Sequence, residues 1–192
     1  MSISRDDALV LVREHNKEEG HIRHALAVEA CMRHFALKFD QDPDLWGLAG
    51  LVHDLDWEEV SSCPENHTKV AASILEDKGY PDEVIRAVRA HGWGICSDVE
   101  PISPMEKTLF SVDELTGLVM TTALVRPSKS LSDLTVKSVK KKWNDKRFAA
   151  GVDRQLIEKG AEMMGIELSD LISGVIEAMK PVQRELGLEE LL

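Results

Sequence analysis

The chain has 192 residues, of which 43% are hydrophobic and 30% charged, with 12 glycines and 7 prolines. That composition excludes a collagen-like polymer, a polar disordered chain and a membrane-embedded protein, and the length suits one domain of about 100–200 residues. The net charge of −11 opposes attachment to an anionic membrane and makes a macromolecular nucleic acid a poor partner.

No apolar run approaches the roughly 20 residues that span a bilayer, and MSISRDDALVLVREHN lacks the basic and apolar regions of a secretory leader. A cytoplasmic protein is expected. Cys31, Cys63 and Cys96 have no CxxC spacing and cannot all pair within the chain, so free thiols are expected. Charge is unevenly spread: Asp40 to Glu65 holds eight acids and no Lys or Arg, whereas Arg126 to Arg147 holds eight basic residues against Asp133 and Asp145. An acidic cation site and a separate basic surface would produce such a division.

In chain order, residues 4–15 read as a short helix through Ala8, Leu9, Leu11 and Val12. Gly20 reads as a break before HIRHALAVEACMRHFALKF, where Ala25, Val28, Cys31, Met32 and Phe35 recur at helical spacing. Asp42-Pro43 pairs a cap with a first-turn proline and opens a densely apolar helix running to His53-Asp54. A further helix is expected near PENHTKVAASIL, another after Tyr80-Pro81-Asp82, and a long one after the capping box Ser103-Pro104-Met105-Glu106. Arg126-Pro127-Ser128 reads as a turn. LSDLTVKSVKKKW, GVDRQLIEKGAEMMG and LSDLISGVIEAMK read as shorter helices, and VQRELGLEELL as either a docked end or a mobile one. Alternating strand patterns are almost absent, so the fold class is all-α, one helical domain over residues 1–192.

The chemistry lies in histidines and acids. His53-Asp54 at a helix end offers an imidazole and a carboxylate to one divalent ion, although the pair alone also fits a hydrogen-bonded cap. His24, His67, His91 and Asp113 extend the set. His24 alone would read as a satisfied core histidine. Asp113 lies beside the stripe Leu109, Val112, Thr116, Val119 and Met120, so it needs a cation or strong hydrogen-bond donors if that stripe packs inward.

HALAV at His24, GLVHDLD at His53-Asp54 and FSVDELTG at Asp113 together resemble the HD-domain superfamily over residues 20–125. The resemblance implies a compact all-helical fold and, in many members, metal-dependent phosphohydrolase activity. It implies that His24, His53, Asp54 and Asp113 ligate a principal metal, and that His67 and His91 ligate a second with Asp54 bridging. The cofactor is then one or two divalent ions, with Mn, Mg, Co, Ni or Fe all compatible. Asp54 and Asp56 are the candidate catalytic carboxylates, Asp56 as a group that orients water or passes a proton. Glu58 and Glu59 read more simply as solvated acids. Trp57 departs from the pattern, because several HD groups carry Lys or Glu at that place.

The basic region adds Arg147 and Arg154 as candidate substrate contacts, since a guanidinium can grip phosphate with two parallel hydrogen bonds. Phosphate-loop, nucleophile-elbow and HExxH signatures are absent. The expected function is hydrolysis of a phosphate ester in a nucleotide or small phosphorylated metabolite. An HD-fold di-iron oxygenase and a non-catalytic metal- or metabolite-binding regulatory domain are the alternatives.

Overall fold

The computed structural model describes residues 3–145 and 147–189. Among these the chain forms helices and turns without strands, apart from one isolated bridge between Trp93 and Ser97, and the all-α expectation holds. The helices are α1 (Arg5–His15), α2 (Glu19–Lys38), α3 (Pro43–Val52), α4 (Lys69–Asp77), α5 (Asp82–His91), α6 (Pro104–Leu124), α7 (Val136–Trp143), α8 (Arg154–Met164) and α9 (Leu168–Met179), with short 3-10 turns at Pro64–Asn66 and Lys180–Val182.

Local chemistry accounts for most of the starts. The Asp42 carboxylate accepts the Asp44 N–H at 2.8 Å with Pro43 in the first turn, which opens α3. The Ser103 hydroxyl accepts the Glu106 N–H at 3.2 Å while the Glu106 carboxylate accepts the Ser103 N–H at 3.5 Å, and the Ile102 N–H at 2.8 Å as well, so α6 begins with both halves of its capping box. Gly20 is a correction: it is the second residue of α2 rather than a break. The start is set from outside the segment by Glu58, whose carboxylate accepts the Lys17 and Glu18 N–H groups at 2.9 Å. Bonds contributed by a residue some 40 positions away leave no mark on the local pattern.

α2 is the centre of the packing, in contact with α3, α6 and α9, while α6 also packs on α5 and α8. α3 is apolar on all sides and buries every residue from Trp46 to Val52. Two of those residues are glycines because the helices touch. A Cβ at Gly50 would stand 2.9 Å from the Val28 carbonyl oxygen and 3.0 Å from Glu29 Cα. One continuous cluster of buried apolar side chains runs from Ala8 to Leu188.

The tail after Pro181 is docked: Leu186 and Leu188 are buried, and the Gln183 carboxamide oxygen accepts the Leu131 N–H at 3.0 Å. Glu190–Leu192 of that segment and Lys146 of the basic region lie outside the described residues. No helix among the described residues is long and apolar enough to cross a membrane.

Candidate metal centre

Five elements converge on one point. His24 sits one turn into α2, His53 directly follows α3, and Asp54 begins the turn after it. The buried Asn16 side chain holds that turn by donating to the Asp54 and Leu55 carbonyls at 3.3 and 3.1 Å. His67 closes the 3-10 turn ahead of α4, His91 is the last residue of α5, and Asp113 lies midway along α6. Thr68, with φ of 68°, adopts the left-handed conformation at the junction between His67 and α4.

The six side chains form two clusters that share Asp54. In the first, His24 Nε2 lies 2.9 Å from Asp113 Oδ1, 3.2 Å from His53 Nε2 and 3.6 Å from Asp54 Oδ2. His53 Nε2 lies 3.4 Å from Asp54 Oδ2 and 3.5 Å from Asp113 Oδ1. In the second, His67 and His91 face each other through Nε2 at 3.1 Å, and each approaches Asp54 Oδ1, at 3.3 and 3.4 Å. Asp54 therefore turns one oxygen to each cluster.

The far side of each imidazole fixes its tautomer. His53 Nδ1 donates to the Gly50 carbonyl at 2.8 Å and His91 Nδ1 to the Val88 carbonyl at 2.6 Å, acceptors that cannot donate in return. His67 Nδ1 donates to Asp56 Oδ1 at 2.7 Å. The Thr116 hydroxyl gives its proton to the Asp113 carbonyl at 2.7 Å, leaving its oxygen to accept from His24 Nδ1 at 3.3 Å. All four Nε2 lone pairs consequently point inward.

The clusters form the floor of a cavity of about 380 Å³ whose wall includes His21, Trp57, Ile95, Cys96, Glu114 and Val152. A sequence model of the HD domain matches residues 21–117. The chain belongs to the HD-domain family. Curated proteins and solved structures gave no match to it. The matched span holds all six clustered side chains, and family membership together with the buried His/Asp clusters supports a metal-dependent hydrolase function.

The donor set of this HD domain suits a small divalent ion. Ligands bonded at about 2.0–2.3 Å around one ion stand roughly 2.8–3.8 Å from their neighbours, and the separations here run from 2.9 to 3.6 Å. Inward-facing lone pairs at 3.1–3.2 Å repel unless a proton or a cation lies between them. Burial disfavours charge on His53, yet Asp54 and Asp113 outweigh it and hold the imidazole well above its ordinary range. Burial likewise works against ionised Asp54 and Asp113, and the histidines overcome it to hold both carboxyls far below theirs.

Asp56 is fully buried behind His67, and both its oxygens are engaged, one by His67 and the other by the Ala71 N–H at 2.9 Å. It stands away from the cavity wall, so its contact with the site runs through the imidazole it orients. Arg154 spends its guanidinium on main-chain carbonyls, among them Phe148 at 2.6 Å, Trp143 at 2.8 Å and Val152 at 3.1 Å. It ties together a loop whose Gly151 and Val152 line the cavity, without lining the cavity itself. Arg147 is exposed and also stands apart from the lining.

Three participants escaped sequence reasoning. Glu58, expected as a solvated acid, accepts His21 Nδ1–H at 2.8 Å and the N–H groups of Lys17 and Glu18 just ahead of α2. These bonds, the backbone one from Lys17 foremost, hold its carboxyl down at about 2. His21 is thereby anchored on the cavity wall, one turn before His24; its i, i+3 spacing was the available signal. Glu114 lines the cavity beside Asp113, and burial followed by that neighbour's charge pushes its carboxyl up to about 7.

Proposed function

We propose that this HD-domain protein is a metal-dependent phosphohydrolase that cleaves a phosphate ester in a nucleotide or small phosphorylated metabolite. The observation that carries the reading is the sharing of Asp54 between two ligand clusters on the floor of one small cavity. His24, His53, Asp54 and Asp113 would hold one ion, and Asp54, His67 and His91 a second. Such ions acidify water and neutralise charge on phosphoryl oxygens.

The protein's own groups supply orientation. Asp54 fixes the relation between the clusters by offering one oxygen to each. Asp56 and the Gly50 and Val88 carbonyls hold three imidazoles with Nε2 inward, and Thr116 does the same for His24. His21 belongs to neither cluster but shares their cavity. With Nδ1–H committed to Glu58, the doubly protonated ring would carry its second proton on Nε2, and that proton would pass to the departing alkoxide.

Turnover assays test the reading. Protein loaded with Mn²⁺, Mg²⁺, Co²⁺, Ni²⁺ or Fe²⁺ should release phosphate from a panel of nucleoside monophosphates, cyclic nucleotides, dinucleotides and small phosphomonoesters, and Asp54→Ala should abolish that release. Absence of cleavage with oxygen consumed alongside an organic substrate would make the protein an oxygenase. Specific metabolite binding with neither reaction would make it a regulatory domain.

A further inference from the structure

Two large apolar side chains stand at the cavity with much of their surface in solvent, Trp57 at 46% and Ile95 at 67% exposure. Scattered exposed apolar residues are ordinary, but a pair converging on a pocket that also holds the ligand clusters is not scattered. Both are held in place. The Trp57 ring meets the His67 ring edge-on with centroids 5.0 Å apart, so the side chain is braced by the floor of the site. Ile95 projects from a tight loop in which the Gly92 carbonyl accepts the N–H groups of Ile95, Cys96 and Ser97 at 3.0, 3.0 and 3.1 Å. That loop is closed by the Gly94 N–H on the Ser97 carbonyl at 2.9 Å, and Gly94 takes φ of 79°. Room for a side chain at its base is lacking, because a Cβ on Gly92 would stand 2.5 Å from Cys96 Sγ.

The charge on the wall is as informative as its apolar rim. Its acids are Asp54, Asp113 and Glu114, and among the described residues lining it none is Lys or Arg. A phosphoryl group over the clusters would meet whatever ions they hold. Each further phosphoryl of a chain would extend toward walls on which the described residues offer carboxylates, apolar surface and the His21 imidazole but no Lys or Arg, and desolvating an anion without a partner is costly.

We propose that the site selects a phosphate ester with a single phosphoryl group joined to an aromatic ring system, the ring lying against Trp57 and Ile95, and that it discriminates against phosphate chains. The inference rests on the phosphohydrolase reading for the fate of the ester. The ring-binding shelf itself is a statement about binding and is measurable without turnover. Ring stacking on a tryptophan and burial against isoleucine should together strengthen binding about tenfold over a short alkyl group.

Titration calorimetry on the Mn²⁺-loaded protein provides the test, with phenylphosphonate and ethylphosphonate as non-hydrolysable probes. Phenylphosphonate should bind at least about tenfold more tightly. Trp57→Ala should bring the two within about threefold, while Trp57→Phe keeps the preference, and far-UV circular dichroism checks that each variant is folded. Competition against phenylphosphonate with free Mn²⁺ buffered should rank adenosine monophosphate above the diphosphate and the diphosphate above the triphosphate. Equal affinity for the two phosphonates, a preference that survives in Trp57→Ala, or a triphosphate that competes best would each overturn the proposal. Cleavage of phosphate esters with a flat phosphonate ratio would leave the phosphohydrolase standing and remove the shelf. The expected binding order with no ester cleaved would retain the shelf and remove the phosphohydrolase.

Discussion

Asp56 illustrates how one residue sets the chemistry of another. Its two oxygens are split between the His67 Nδ1–H and the Ala71 N–H, so it orients the His67 ring and caps α4 at once, a duty Thr68 leaves open by offering no side-chain cap. In Asp56→Asn the remaining carbonyl oxygen can keep the Ala71 bond, but the amide then faces His67 with a donor. That forces the imidazole proton to Nε2 and blocks the lone pair the second cluster needs. Equilibrium dialysis with Mn²⁺ should show the weaker of two sites losing about 10–100-fold in affinity while the tighter site is unchanged. Removing the bridge is different in kind: Asp54→Ala should lower affinity at both sites, whereas Asp113→Ala should weaken only the site built on His24 and His53.

At the scale of elements, the site depends on how closely two helices approach and on where one of them begins. Gly50→Ala would drive a methyl group into the backbone of α2, which cannot yield as a flexible side chain could. The helices must separate, and His53, bonded to the Gly50 carbonyl, moves with α3 away from His24. Urea unfolding should register a loss of about 1–3 kcal/mol, accompanied by weaker binding at the first cluster. The start of α2 carries a pH signature. A carboxyl held at about 2 against an ordinary 4.5 lends stability that is complete above pH 4.5 and disappears as the pH falls toward 2. The stability gap between the wild type and Glu58→Gln should therefore be constant from pH 7 to about 5 and shrink between about 4.5 and 2, followed by urea unfolding at each pH.

For the molecule as a whole, the ligand clusters join segments from α2 to α6, so an ion bound there ties together most of the central packing. Binding only to the folded state adds about 2.7 kcal/mol at a free ion concentration one hundred times Kd. In a chain of this length each kcal/mol raises Tm by roughly 2–4 °C. Stripping the protein with a chelator should lower Tm by about 5–10 °C, and readdition of the ion should restore it. Differential scanning calorimetry on the wild type and on Asp54→Ala separates this effect from any action of the chelator itself, because the variant should respond little.

The all-helical class, the caps at Asp42 and Ser103 and the ordered set of His24, His53, Asp54, His67, His91 and Asp113 were legible in the sequence. Each is a matter of short-range periodicity, of one side chain reaching its own backbone neighbours, or of residue types that resemble a family pattern. What the tertiary structure decided were relations between residues distant along the chain. Asp54 divides its oxygens between two clusters only because α2, α5 and α6 arrive from different directions. Glu58, a plain surface acid in sequence, pins the backbone of Lys17 and Glu18 at the entry to α2 and anchors His21. Arg154 resembles a phosphate grip in sequence, but the fold surrounds its guanidinium with the carbonyls of residues 143–152 and commits its donors there. Trp57, a mismatch to the family pattern, gains a role as a cavity wall once the fold sets it beside His67 and leaves its ring half in solvent. Residue type limits which bonds a side chain can make, and long-range packing selects which partner is within reach.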